Sequence, residues 1–169
     1  AQPTSTPQNS RIVYATVSDF GFSHVLKSVD GGQSWNSIDN QVGTTARLPD
    51  IPAHTIVSDP AYPPGQRLYV GTDLGVFVTI DGGLNWMREN AGFANTPVEW
   101  LVLHNRQVGT GAVEGKRAKA PATGELFAFT HGRSAFKTSL RAAGGFCSSP
   151  GAVIPDNDPT GLSSTITLS

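Results

Sequence analysis

The chain has 169 residues, and its 12 basic and 13 acidic side chains leave a formal charge of −1, with only 15% of residues charged. That balance excludes a general nucleic-acid binder or a polybasic membrane anchor, and no apolar run approaches the roughly 20 residues of a membrane-spanning helix. A count of 19 Gly and 12 Pro is too high for a helical bundle, and the single cysteine, Cys147, excludes a disulfide framework within the chain.

The chain opens on Ala1 and its only methionine is Met87, which points to a processed chain or a piece of a longer one. Residues 1–10 are Gln, Thr, Ser, Pro and Asn in character and read as a linker. Residues 11–17 are rich in β-branched and aromatic side chains and predict a strand. Residues 24–29 alternate, Asp30-Gly31-Gly32 makes a tight turn, and 34–38 return, so a hairpin is expected there. A second group of short strands is expected at 55–58, 68–71, 76–80 and 85–88, with a turn at Asp81-Gly82-Gly83. A third, degenerate group is expected at 98–103, 126–130 and 135–140. It encloses a long loop at 105–124 that carries Arg106, Lys116, Arg117 and Lys119 and reads as a solvated insertion. Residues 141–150 form a Gly- and Ser-containing linker, and the last seven residues alternate like a strand.

The first two groups are copies of one unit. Val25-Leu-Lys-Ser-Val-Asp-Gly-Gly-Gln-Ser-Trp35 aligns without a gap on Val76-Phe-Val-Thr-Ile-Asp-Gly-Gly-Leu-Asn-Trp86, at an offset of 51 residues. The spacing has a physical purpose. A carboxylate in the turn accepts hydrogen bonds from turn N–H groups and a hydroxyl, glycine takes the positive φ, and Trp covers the turn. Ser28, Asp30, Gly32, Ser34 and Trp35 are assigned these structural roles in the first copy, and Thr79, Asp81, Gly83, Asn85 and Trp86 in the second.

At these residues the chain resembles the Asp-box, or BNR-repeat, family of sialidase-like and Vps10-like β-propellers. Four short antiparallel strands at a period near 50 residues match one propeller blade. The resemblance implies an all-β fold: about two and a half Asp-box blades over residues 11–140, too few to close a ring of 4 to 8. Ile154-Pro155-Asp156-Asn157, followed by Ser163-Ser164-Thr165-Ile166-Thr167, resembles the opening of a P (Homo B) domain. Residues 151–169 would then begin a truncated jelly-roll β-domain.

In a propeller the turns opposite the boxed hairpins carry ligands. Asp19, Asp73, His131 and Arg133 fall in those turns and are the candidate ligand-face residues. No catalytic set can be assembled from the sequence. There is no Gly-x-Ser-x-Gly. A sialidase would need an arginine triad, an acidic pair and a Tyr nucleophile, and only Arg133, Tyr14, Tyr62 and Tyr69 could be offered. His24, His54, His104 and His131 form no metal-ligand spacing, and no cofactor is expected. Asp156, Asp158 and Thr160 with Gly161 imitate the start of a Ca²⁺ loop. Thr167 stands where a bidentate Glu is needed, so a turn before a strand is the favoured reading.

The expectation is therefore a non-catalytic fragment of a secreted bacterial multidomain protein, binding glycans or protein ligands or acting as a scaffold. Its partners would include the remainder of the parent polypeptide, with no nucleic acid and no membrane span. The alternative is part of a secreted glycoside hydrolase of sialidase or xyloglucanase type, or an accessory region of a P-domain-containing secreted serine endopeptidase.

Overall fold

The computed structural model describes residues 11–39, 46–89, 95–104 and 124–140, together with the strand backbone of 167–168. The expectations for the terminal linker 1–10, the loop 105–124 apart from Gly124, Cys147 and the Ca²⁺-like stretch 156–161 lie outside those residues. Most of the P-domain-like segment does too. Within the described residues the chain is all-β. No helix there is long and apolar enough to cross a membrane.

Three antiparallel sheets follow one another along the chain, and none is closed. The first joins β1 (Val13–Thr16), β2 (Val25–Ser28) and β3 (Asn36–Ser37) in that order. The second is an up-and-down meander of β4 (Ala53–Ser58), β5 (Leu68–Thr72), β6 (Gly75–Thr79) and β7 (Met87–Arg88). The third contains β8 (Val98–His104), β9 (Gly124–Thr130) and β10 (Ala135–Leu140). Its outer position is taken by β11 (Thr167–Leu168), with Phe136 opposite Leu168 and Lys137 opposite Thr167. Every strand expected in the three groups is present, shifted by at most two residues at its ends.

The repeat holds in register as well as in sequence. Val13 pairs with Ser28 in the first sheet and Leu68 pairs with Thr79 in the second. This alignment makes Tyr14 and Tyr69 equivalent, each one residue further along its strand. Antiparallel connectivity sends the boxed hairpins to one end of the strands. The β1–β2, β5–β6 and β9–β10 turns go to the other.

Two apolar cores lie between successive sheets. Val25, Ile38, Leu48, Ile51, Ala53, Leu68, Val70, Phe77 and Trp86 fill the first, and Tyr14 packs against it. Tyr69, Val76, Val78, Val98, Leu101, Leu126, Ala128 and Leu140 fill the second. The side chains of β5 and β6 alternate between the two cores, so both strands are buried along their whole length. That explains why 68–71 and 76–80 read as nearly unbroken apolar runs.

The outer sheets are buried on one face only. Trp100, Val102 and Phe129 of the third sheet are exposed, as are Val13, Val29 and Trp35 of the first sheet and its hairpin.

Candidate functional site

The two boxed hairpins share one hydrogen-bond scheme. Ser28 donates its hydroxyl proton to Asp30 Oδ1 at 2.7 Å, and its oxygen accepts from the N–H of Gly32 at 2.8 Å. Asp30 Oδ1 also accepts from the N–H groups of Gln33 and Ser34, while the Ser34 hydroxyl donates to Oδ2 at 2.6 Å. In the second copy Thr79 replaces Ser28, donating to Asp81 at 2.8 Å and accepting from Gly83 N–H at 2.9 Å. Asn85 uses its own N–H and its Nδ2, at 2.9 and 2.8 Å, so an amide performs the work of the Ser34 hydroxyl. Every oxygen of both carboxylates is engaged within its own turn, which makes these groups fasteners of the chain.

The proton equilibria follow from this geometry. The Ser34 hydroxyl, then the Ser34 N–H and the Ser28 hydroxyl, hold the Asp30 carboxyl well below the usual carboxylate range. Burial pushes Asp81 upward, but the bonds from Asn85, Thr79 and the Leu84 N–H together outweigh it and leave a lowered value. A carboxylate that ionises more readily when folded binds fewer protons in the native chain than in the unfolded one. Its stabilisation is complete above the unfolded value of about 4 and is lost as pH falls toward the lowered folded value. The melting temperature should therefore drop between about pH 5 and pH 2. In an Asp30→Asn, Asp81→Asn double variant it should start lower at pH 6 and change less with pH. Parallel pH profiles for the two proteins would disprove this assignment.

The tryptophans of the two copies differ. Trp86 is buried and donates Nε1–H to the carbonyl of Ile38 in the preceding sheet at 3.0 Å. Trp35 is exposed and turns its Nε1–H back to Gly32 O in its own hairpin at 3.1 Å.

Beside the β4–β5 connection, at this hairpin end, lies a cavity of about 700 Å³ lined by Ile12, Tyr14, Tyr62 and Pro63 among others. Burial pushes the pKa of the Tyr14 hydroxyl up and so disfavours its ionisation, and that hydroxyl has no hydrogen-bond partner among the described residues.

The opposite strand end holds the polar constellation. Asp73 lies in the β5–β6 turn and accepts from His54 Nε2 through Oδ1 at 2.7 Å. His54 stands in β4, and its Nδ1 lies 2.9 Å from the hydroxyl oxygen of Ser18 in the β1–β2 connection. An ionised Asp73 requires the proton of a neutral imidazole to sit on Nε2. That leaves Nδ1 as the acceptor for Ser18 O–H. Next to this chain of bonds, His24 Nε2 lies 3.0 Å from Asp50 Oδ1, which also accepts the Gly21 N–H at 2.7 Å. Asp19 caps its own turn by accepting from the Phe20 N–H at 2.8 Å. Phe20 and Phe22 of the same connection are exposed, as is Leu74 beside Asp73.

Asp19 and Asp73 thus lie in connections that His54 ties together. His131 and Arg133 sit in the corresponding turn of the third sheet, both exposed. The contacts of His131 stay within that sheet: its N–H donates to Pro97 O at 2.9 Å, and Nδ1 lies 3.5 Å from Glu99 Oε1.

Sequence reading missed Ser18, His54 and Asp50. No motif spacing could have found them, because Ser18, His54 and Asp73 are separated by 36 and 19 residues and meet only through the packing of neighbouring sheets. No group of three or more metal-ligating side chains occurs among the described residues. The chain matches no protein-family model and no curated protein.

Proposed function

We propose that the three sheets are consecutive Asp-box blades of a β-propeller belonging to a secreted bacterial multidomain protein. In this reading the strand end carrying Asp19, Asp73, His131 and Arg133 binds glycans or protein ligands. The observation that carries the reading is the contrast between Trp86 and Trp35. One indole seals its blade to the preceding blade, and the equivalent indole of the first blade is exposed. The exposed Trp100, Val102 and Phe129 at the far side of the stack make the same point, since an apolar face of this kind marks an interaction surface. Further blades of the same kind, in the parent polypeptide or in another copy, would cover both faces.

Sedimentation velocity on the 169-residue chain tests the architecture. Concentration-dependent self-association is expected, because both outer faces are apolar and the outer strands have unpaired edges. A sharp monomer boundary at all concentrations, combined with a cooperative melt, would overturn the open-stack reading. Amide-shift titration with a xyloglucan heptasaccharide and with sialyllactose tests the ligand end. Perturbations should fall in 18–24, 54, 72–75 and 131–133, and perturbations confined to the hairpin end would reject the assignment.

A further inference from the structure

We infer that Ser18, His54 and Asp73 form a nucleophilic relay, with Ser18 attacking the acyl carbon of small apolar esters that have a good leaving group. The inference rests on hydrogen-bond geometry and does not depend on the sheets being propeller blades. Three conditions for an activated serine are met. The Ser18 hydroxyl is 2.9 Å from a ring nitrogen. The other ring nitrogen is 2.7 Å from a carboxylate. That carboxylate selects the tautomer in which the nitrogen facing Ser18 carries the lone pair. Ser18 is exposed and open to a substrate, while the His54 side chain is only 18% exposed, so little water competes for the proton.

The chemistry balances without a cofactor. As the bond from Ser18 Oγ to the acyl carbon forms, the hydroxyl proton passes to His54 Nδ1. The ester C–O bond then breaks, and the leaving alcohol or phenol takes that proton. Water, giving a proton to the same Nδ1, attacks the acyl carbon; the bond from that carbon to Ser18 Oγ breaks, Nδ1 returns the proton to Oγ, and the carboxylic acid leaves. Asp73 touches no reacting atom. It is a positioning residue that holds the imidazole and stabilises the transient imidazolium.

Two features set the substrate class. The exposed rings of Phe20 and Phe22 and the exposed Leu74 offer apolar surface for an aryl or short acyl group. The N–H groups of Phe20 and Gly21 in the same connection are already taken by Asp19 and Asp50, so that pair does not hold an oxyanion. The relay draws on general-base assistance, worth about 10²–10⁴-fold, and on the leaving group.

The test is covalent labelling of the full chain with an alkyl fluorophosphonate. Ser18 Oγ would bond to phosphorus, fluoride would leave and the proton would pass to His54. Peptide mapping should find one adduct, on Ser18, formed at least 100-fold faster than any adduct on the exposed Ser34. Urea-unfolded chain should lose that preference. Ser18→Ala should abolish the adduct and lower p-nitrophenyl acetate hydrolysis to the level of the free imidazole. Asp73→Asn should cut the maximal labelling rate about tenfold or more while leaving the half-saturating concentration unchanged, a split that loose folding would not produce. No adduct on the folded wild-type chain, or Ser18 labelled no faster than Ser34, would overturn the proposal. Because the decisive comparison is within the wild-type protein, it does not depend on any variant folding.

Discussion

Replacing Trp86 with alanine should cost about 3–5 kcal/mol of stability, against roughly 1 kcal/mol or less for the same change at Trp35. The two residues occupy the same place in two copies of one motif, so local propensity predicts equal effects. Packing does not. Trp86 is 3% exposed and closes the first core, whereas Trp35 is 40% exposed and contacts its own hairpin. Removing Trp86 also leaves the Ile38 carbonyl without its indole donor, which adds about 1 kcal/mol. Against a whole stability of about 5–15 kcal/mol for a domain, that loss is a large share of the total, and the Trp86 variant should unfold at a markedly lower urea concentration. Urea denaturation followed by circular dichroism measures both variants. Equal shifts in midpoint would show that the indole works only inside its own hairpin, and the interlocking of the sheets would need another explanation.

Gly83→Ala should be the second large loss, about 3 kcal/mol or more, while Gly32→Ala should cost about 1–2 kcal/mol. Both glycines hold left-handed backbone, with φ of +99° at Gly83 and +96° at Gly32, so an added side chain strains each alike. Their surroundings differ. A Cβ on Gly83 would stand 2.6 Å from the Ile38 carbonyl oxygen and 2.8 Å from Ile38 Cβ, and neither atom can swing away. A Cβ on Gly32 would meet only the Trp35 ring, at an ordinary 3.6 Å. The difference between the two variants therefore isolates the cost of separating the first two sheets. Indistinguishable losses would mean that backbone strain dominates and that the sheets part easily.

The two comparisons separate what was legible from what was not. Strand positions could be read because β-branched alternation and Asp-Gly-Gly turns are local signals, and the strands from 13 to 140 lie close to where those signals put them. The roles of Ser28, Asp30, Thr79 and Asp81 were legible for the same reason, since their partners lie within four residues. Asn85 could be recognised as a substitute for Ser34 because an amide and a hydroxyl both donate to Asp Oδ2 across the same short turn.

The relay lay beyond that horizon. Ser18 is one polar residue among several in its connection, His54 sits on a strand, and Asp73 is the kind of residue any turn would carry. What makes them a set is the lateral packing of the first sheet on the second, which brings the β1–β2 connection over the start of β4 and the β5–β6 turn. The inequality of Trp35 and Trp86 has the same origin.

By itself, then, the sequence determined the repeated β-hairpin unit, its turn chemistry and the all-β class, because these depend on contacts among residues a few positions apart. Only the tertiary structure decided which indole is buried, which faces stay open and which serine meets which histidine. Those outcomes depend on how one sheet lies against the next, and that arrangement is set by shape and burial across distances that no local pattern encodes.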